Sequence, residues 1–213
     1  MDRCLASLGR PGEFNVPIND ELNLKAQLNL IEAMMAEGRR STESWGWSFL
    51  LWGVAYYVAA LWSALGHFTW AWPITMAAGG VLTGIIGARV SRGQPETTLG
   101  RAIGSVWMVM GTALFIVLVG LGLSGHYDIH VYMAIIGGML ATANGTSSLI
   151  LKWKMQSVSA LVWLGAGVAG SFGSDNQAEI AFLAAVFFCQ IVFGIYAMTL
   201  DARRRRQQRA VHA

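Results

Sequence analysis

The sequence contains little charge and none of the common motifs of soluble enzymes. Only 13% of its residues are charged, whereas 54% are hydrophobic. It has no P-loop, no G-x-S-x-G elbow, no H-E-x-x-H pair and no C-x-x-C pair. This composition is typical of a membrane protein and argues against a soluble enzyme. We therefore predict a protein that is not an enzyme, with no catalytic residue and no cofactor.

Charged residues are nearly absent from six apolar runs, each long enough to cross the roughly 30 Å hydrocarbon layer as a helix of about 20 residues. Backbone groups in that layer have no water to bond, so each run is expected to be helical. We predict an all-α integral membrane protein, whose six-helix transmembrane bundle is built as three hairpins within residues 45–200. The predicted spans are 45–65, 69–88, 102–123, 131–151, 155–172 and 179–200.

No acidic, basic or histidine side chain lies near the middle of any predicted span. Such residues usually mark proton relays, ion pathways and charged-substrate sites, and a b-type haem would need buried histidines. Their absence disfavours a proton-coupled transporter and a haem protein. A conduit for a neutral solute stays open as an interpretation.

Cysteine and metal-ligand patterns are equally sparse. Cys4 lies in a predicted loose tail and Cys189 lies inside the sixth span, which does not indicate a disulfide framework. One cluster, His126, Asp128 and His130, has the ligand chemistry of a zinc site. The spacing is a weak signal in a predicted loop, so we favour interfacial histidine and predict no metal.

Lysine and arginine are missing from alternate connections between the predicted spans. None occurs near 66–68, 124–130 or 173–178, and all 15 lie in the other connections and at the termini. By the positive-inside rule, both termini are expected to lie in the cytoplasm. The tail 201–213, with four consecutive arginines, is predicted to anchor this topology, and we predict no nucleic-acid binding.

Small residues predict where the helices pack closely. Gly80 and Gly84 form a G-x-x-x-G pair, and Ala166 and Gly170 form a second pair of small residues at the same spacing. Such pairs allow helix backbones to approach in a membrane, so both are expected at helix contacts.

The first two hairpins also resemble each other in their glycines. At an offset of 58 residues, Gly53 matches Gly111 and Gly79 matches Gly137. This pattern favours an ancestral duplication of a two-helix unit, with both copies in the same orientation.

Polar side chains on the fourth and sixth predicted spans could line a path for a substrate. Asn144 and Ser148 lie at helical spacing on the fourth span, and Gln190 lies in the sixth. These three residues are substrate-path candidates, but they fit equally well as hydrogen-bonded contacts between helices. We favour the second interpretation.

The segment 19–40 is predicted to form a cytoplasmic amphipathic helix after a disordered tail at 1–18, with Gly38, Arg39 and Arg40 as the signal of its end. Its apolar stripe is expected to pack against one of four surfaces: the membrane, the bundle's own cytoplasmic face, a partner protein or a second copy of this chain. Its acidic residues and single lysine argue against anionic lipid. The partner-binding candidates in this stripe are Leu24, Leu28, Ile31 and Met35.

The run LNLIEAMMAEGRR, followed by ESWGWSFLLWG, resembles the opening of a loosely defined group of uncharacterised bacterial six-span membrane proteins. The resemblance covers roughly the first quarter of the chain. It implies a bacterial inner-membrane location and a link with a transcriptional regulator, and it transfers no site residues.

Two functions follow from these features. The first is a non-enzymatic multi-pass membrane protein, embedded in the lipid bilayer, that presents its cytoplasmic helix to a regulatory partner or self-associates through it. The alternative is a small carrier or channel for a neutral or apolar solute.

Overall fold

The described part of the chain consists of helices joined by short turns and contains no strand. The computed structural model describes residues 18–66, 70–91, 98–125 and 128–211. Its helices are α1 (Ile18–Ser44), α2 (Gly46–Gly66), α3 (Ala71–Ser91), α4 (Thr98–Leu123), α5 (Ile129–Leu151), α6 (Lys154–Phe172), α7 (Asp175–Val186) and α8 (Phe193–Val211), with a π-helical segment (Phe187–Val192) between α7 and α8.

Six helical stretches of this part are long and apolar enough to cross a membrane. The predicted all-α bundle is therefore confirmed, and its helices fit a multi-pass membrane protein. The last stretch joins α7, the π-helical segment and α8 into one crossing. The six stretches are Asn23–Gly66, Ala71–Val90, Thr98–Leu123, Ile129–Leu151, Lys154–Phe172 and Asp175–Gln207.

The chain divides by its internal contacts into two units, Met1–Met34 and Met35–Ala213. In the first unit the structure describes only helix α1 from Ile18 onward, so the predicted tail 1–18 otherwise lies outside the described residues. In the second unit, α8 continues as a helix through most of the basic tail 201–213.

Helix α1 does not end at Gly38, so the predicted stop is wrong. A Cβ atom on Gly38 would lie 2.7 Å from Cδ2 of Leu99 and 2.8 Å from Cδ2 of Leu151. The glycine therefore lies against two leucine side chains at a helix contact and does not terminate the helix. Helix α1 ends at Ser44, just before a turn at Trp45.

The most extensive helix contact joins α5 and α6, which belong to different predicted hairpins. A Cβ atom on Gly137 would lie 2.5 Å from the Cα atom of Gly167, so the two backbones touch where they cross. One turn further along α6, Gly170 lies against the side chain of Met133. Small residues thus replace interdigitating side chains at this crossing.

The two predicted pairs of small residues have different surroundings. Ala166 and Gly170 are buried on α6, which confirms that pair as a helix contact. Gly80 and Gly84 of α3 are exposed, with no neighbouring atom within 4 Å of a Cβ built on either. The second expectation is wrong, because α3 turns a different face toward α2, with Gly79 against Trp52.

Glycines also bring the first and last crossings together. A Cβ atom on Gly46 of α2 would lie 2.9 Å from the Cβ atom of Ala197 on α8. A Cβ atom on Gly194 of α8 would lie 2.9 Å from the backbone nitrogen of Leu50 on α2. Helix α2 therefore packs closely on α8, and it contacts the π-helical segment and α7 as well.

Four crossings form the centre of the bundle, and two lie at its sides. The central ones are α2, α5, α6 and the α7–α8 crossing, whereas α3 mainly contacts α2 and α4 mainly contacts α5. Helices α3 and α4 leave large apolar side chains exposed, among them Val81, Met108 and Val109. In a membrane these faces would contact lipid.

Replacing Gly137 by Leu is expected to lower the free energy of unfolding by about 1 to 3 kcal/mol or more, because the side chain would overlap the α6 backbone. The matched control is Gly138→Leu, since no atom lies within 4 Å of a Cβ on Gly138. Thermal unfolding of the purified protein in detergent measures both. Equal losses from the two variants would contradict the described crossing.

Candidate functional site

The polar face of α5 is buried and hydrogen-bonded within the bundle. Asn144 is only 2% exposed, and its Nδ2 donates to the Leu140 carbonyl oxygen at 2.8 Å. The Ser148 hydroxyl donates to the Trp153 carbonyl oxygen at 3.3 Å and also pairs with the Ser157 hydroxyl. Both substrate-path candidates on this helix therefore bond to neighbouring groups, and Ser148 ties the end of α5 to the start of α6.

The same face of α5 also attaches helix α4. The Trp107 indole nitrogen on α4 donates to the Ser147 hydroxyl at 3.1 Å. Trp107 also packs edge-on against Phe49 of α2, with ring centroids 5.4 Å apart. This arrangement matches the interpretation of the polar face as a set of contacts between helices.

Gln190, the third path candidate, lies between α7 and α8 and is buried. It belongs to the π-helical segment. A Cβ atom added to Gly53 of α2 would lie 3.0 Å from the Cβ atom of Gln190. The π-helical segment packs mainly on α2, α7 and α8, whereas α5 packs mainly on α6 and α4. The two candidates on α5 and the one in the π-helical segment therefore belong to elements with different main neighbours.

Gln190 and Gln156 are buried with polar atoms that lack partners among the described residues. Oε1 of Gln190 accepts no hydrogen bond there, and neither amide atom of Gln156 is paired. Gln156, near the start of α6, was not a predicted site residue. Its position in a polar-flanked segment, QSVS, is a signal that could have singled it out.

His130 joins the start of α5 to the turn between α6 and α7. Its Nδ1 lies 2.7 Å from the Gly170 carbonyl oxygen, and its Nε2 lies 3.2 Å from Oδ1 of Asp175. The carboxylate of Asp128 caps α5 by accepting the backbone N–H of His130 at 2.9 Å. His130 and Asp128 therefore both have structural contacts at this end of the bundle.

The structure describes two residues of the predicted zinc cluster, Asp128 and His130. His126 lies outside the described residues, and Asp128 is used as a helix cap. Within the described ranges, no three His, Cys, Asp or Glu side chains come together in the geometry of a metal site. The interpretation of His130 as an interfacial residue fits its half-buried position beside Asp175.

An ion pair at the opposite end joins the end of α1 to α8. Oε2 of Glu43 lies 2.7 Å from Nη1 of Arg204, at an angle outside that of a hydrogen bond. Glu43 is only 3% exposed, and Asp201 pairs separately with Arg205 at 2.8 Å. Glu43 was not among the predicted site residues, because a single acidic residue before an apolar run resembles any charge that flanks a helix.

The apolar stripe of α1 is exposed within the first unit of the chain. The exposed fractions of Leu24, Leu28 and Ile31 are 57%, 52% and 52%. Met35, the fourth partner-binding candidate, is half-buried and belongs to the second unit. The stripe therefore offers three large aliphatic side chains, one helical turn apart, as a continuous apolar surface.

Known proteins offer no identification of this chain. Neither a protein-family model, nor a curated protein, nor a solved structure matches it.

The Trp107–Ser147 hydrogen bond is expected to contribute to stability. Ser147→Ala leaves the indole nitrogen of the partly buried Trp107 without its acceptor, so the free energy of unfolding should fall by about 0.6 to 2 kcal/mol. Ser105→Ala is the control, because Ser105 is exposed and its hydroxyl donates to the Arg101 carbonyl oxygen of its own helix. Denaturation followed by tryptophan fluorescence compares the two. A loss no larger than that of the control would contradict the assigned bond.

His130→Ala is expected to lower the melting temperature more at about pH 5.5 than at about pH 8. Because the Gly170 oxygen only accepts, Nδ1 must hold a proton, and only the imidazolium form has a second proton for Asp175. The wild-type bond to Asp175 is therefore complete below histidine's ordinary titration range and weakens above it. Asp175→Asn should remove this pH difference. Equal losses at both pH values would count against the bond.

Proposed function

We propose that this chain is a non-enzymatic, multi-pass protein of a bacterial inner membrane that presents its N-terminal helix to a cytoplasmic protein partner. In this topology both termini lie in the cytoplasm. The distribution of lysine and arginine over alternate connections supports the orientation. The six apolar helices support the membrane location.

The observation that carries the proposal is the exposure of the apolar stripe Leu24, Leu28 and Ile31. Fully burying a Leu or Ile side chain contributes about 1.5 to 3 kcal/mol relative to leaving it exposed. Three half-exposed aliphatic side chains on one helix face therefore represent a substantial driving force for association. Helices with such spacing commonly dock in an apolar groove of a partner.

The charge around the stripe favours a protein over a lipid surface as its cover. Glu21, Glu32 and Glu37 lie within the segment 19–40, and Lys25 is its only basic residue before Arg39. Helices that lie on anionic membranes usually carry lysine and arginine along their polar face. An acidic helix would instead be repelled by anionic headgroups.

Photo-crosslinking in cells tests this proposal. A photoreactive amino acid placed at Leu28 or Ile31 should yield a discrete protein adduct. The same residue at Ala26 or Ala33, on the opposite helix face, should yield little. Introducing Leu24→Glu should abolish the adduct at the stripe positions. Adducts to lipid alone, or equal adducts from both faces, would contradict a protein partner.

A second candidate, a carrier for a neutral solute, is favoured by the buried polar atoms of Gln190 and Gln156. Buried polar groups are normally hydrogen-bonded, and an unpaired amide in a membrane bundle is able to bind a polar, uncharged solute. Uptake by proteoliposomes that persists without residues 19–40, but is abolished by Gln190→Leu, would support this function. Uptake absent from wild-type proteoliposomes would exclude it for the solutes tested.

A further inference from the structure

An apolar groove of about 220 Å³ lies on the side of the bundle between α6 and the last crossing. One wall is formed by α6, and the other by the π-helical segment and the first turn of α8. The residues that define the walls are Met155, Val158 and Ser159 on α6 and Phe188, Val192 and Tyr196 opposite them.

The groove opens on the outer surface of the bundle. Its wall residues Val158, Phe188 and Val192 are well exposed there, and in a membrane such a surface faces hydrocarbon. Along α6 the lining runs from Met155 to Val162, which corresponds to roughly 10 Å at about 1.5 Å per residue. That length is about two thirds of one leaflet of a hydrocarbon layer roughly 30 Å thick. The groove therefore lies where the acyl chains of a lipid would be, and it runs along the helix as an acyl chain would.

The floor of the groove is held by a specific contact. The Cys189 thiol donates to the Ser159 carbonyl oxygen at 3.6 Å, and both residues are buried. Cys189 belongs to the π-helical segment, and π-helical turns inside α-helices occur frequently at functional sites. The wider π-helical turn and its bond to α6 together maintain the depression between the two helices.

Two basic residues lie beyond the lining at one end of the groove, one on each of its two helices, α6 and α8. Lys154 lies one helical turn before Val158, and Arg203 lies seven residues after Tyr196, so each continues the face that lines the groove. Both are exposed, whereas the neighbouring Arg204 pairs with Glu43. Basic residues between transmembrane helices attract anionic headgroups at about 1 kcal/mol per charge.

We propose that this groove binds one acyl chain of an anionic phospholipid, whose headgroup is held by Lys154 and Arg203. The site requires only that the chain spans a membrane, which is common to both candidate functions. It does not depend on the partner of the N-terminal helix. The crosslinking result and the lipid result are therefore independent of each other.

Lipid binding to the purified full-length protein tests the headgroup contact. Native mass spectrometry should show that phosphatidylglycerol binds more tightly than phosphatidylcholine with the same acyl chains. The double variant Lys154→Gln, Arg203→Gln should reduce this preference roughly 30-fold, equivalent to about 2 kcal/mol. The control Arg89→Gln, Arg101→Gln removes two exposed basic residues elsewhere and should preserve the preference. Equal binding of both lipids by the wild type would overturn the proposal.

Filling the groove tests the acyl-chain contact. Val158→Trp should reduce the affinity for phosphatidylglycerol several-fold, because the indole would occupy the space between the walls. Leu161→Trp is the matched control, since Leu161 is on the same helix, exposed and not part of the groove. If both variants bind phosphatidylglycerol equally, the lipid adsorbs through its headgroup alone and the groove is not its site.

Discussion

The close crossing of α5 and α6 is the contact on which the arrangement of the other helices depends. Gly137 and Gly167 bring the two backbones together, and a side chain at either position would separate them. Because α4 attaches to α5 and α7 attaches to α6, a shift at this crossing would displace helices on both sides. In a bilayer, where apolar helices gain little by leaving lipid, such dispersion contacts are a main source of helix association.

Polar contacts also join the helices, at both ends of the bundle and along the polar face of α5. His130 joins three elements at one end, through Gly170 and Asp175. At the other end Glu43, buried near the end of α1, pairs with Arg204 in the second half of α8. The first and last crossings are thereby joined by charge as well as by glycine packing. This also gives one of the four consecutive arginines a structural partner, in addition to the topological role that the sequence indicates.

The fold was predictable because a membrane permits few solutions, whereas the uses of individual glycines were not. Runs of about 20 apolar residues must be helices where no water can satisfy the backbone. A glycine, however, either ends a helix or admits a neighbour, and Gly38 looks the same in sequence for both uses. Gly80 and Gly84 matched a packing motif, yet the face of α3 that meets α2 is decided by tertiary contacts. The exposed stripe on α1 was predicted from spacing, but the groove beside Cys189 required a π-helical turn, for which the sequence has no periodic signal.

The packing also limits what the resemblance between the first two hairpins can mean. If they descend from one unit, α2 corresponds to α4 and α3 to α5. Yet α2 and α5 are central whereas α3 and α4 are peripheral, so corresponding helices have exchanged places. The matched glycines show the same divergence, since Gly53 lies against Ile191 but Gly111 has no atom within 4 Å. A duplication would therefore have preserved glycine positions without preserving their contacts. The two hairpins act as different parts of one bundle, with the third hairpin supplying both of its helices to the centre.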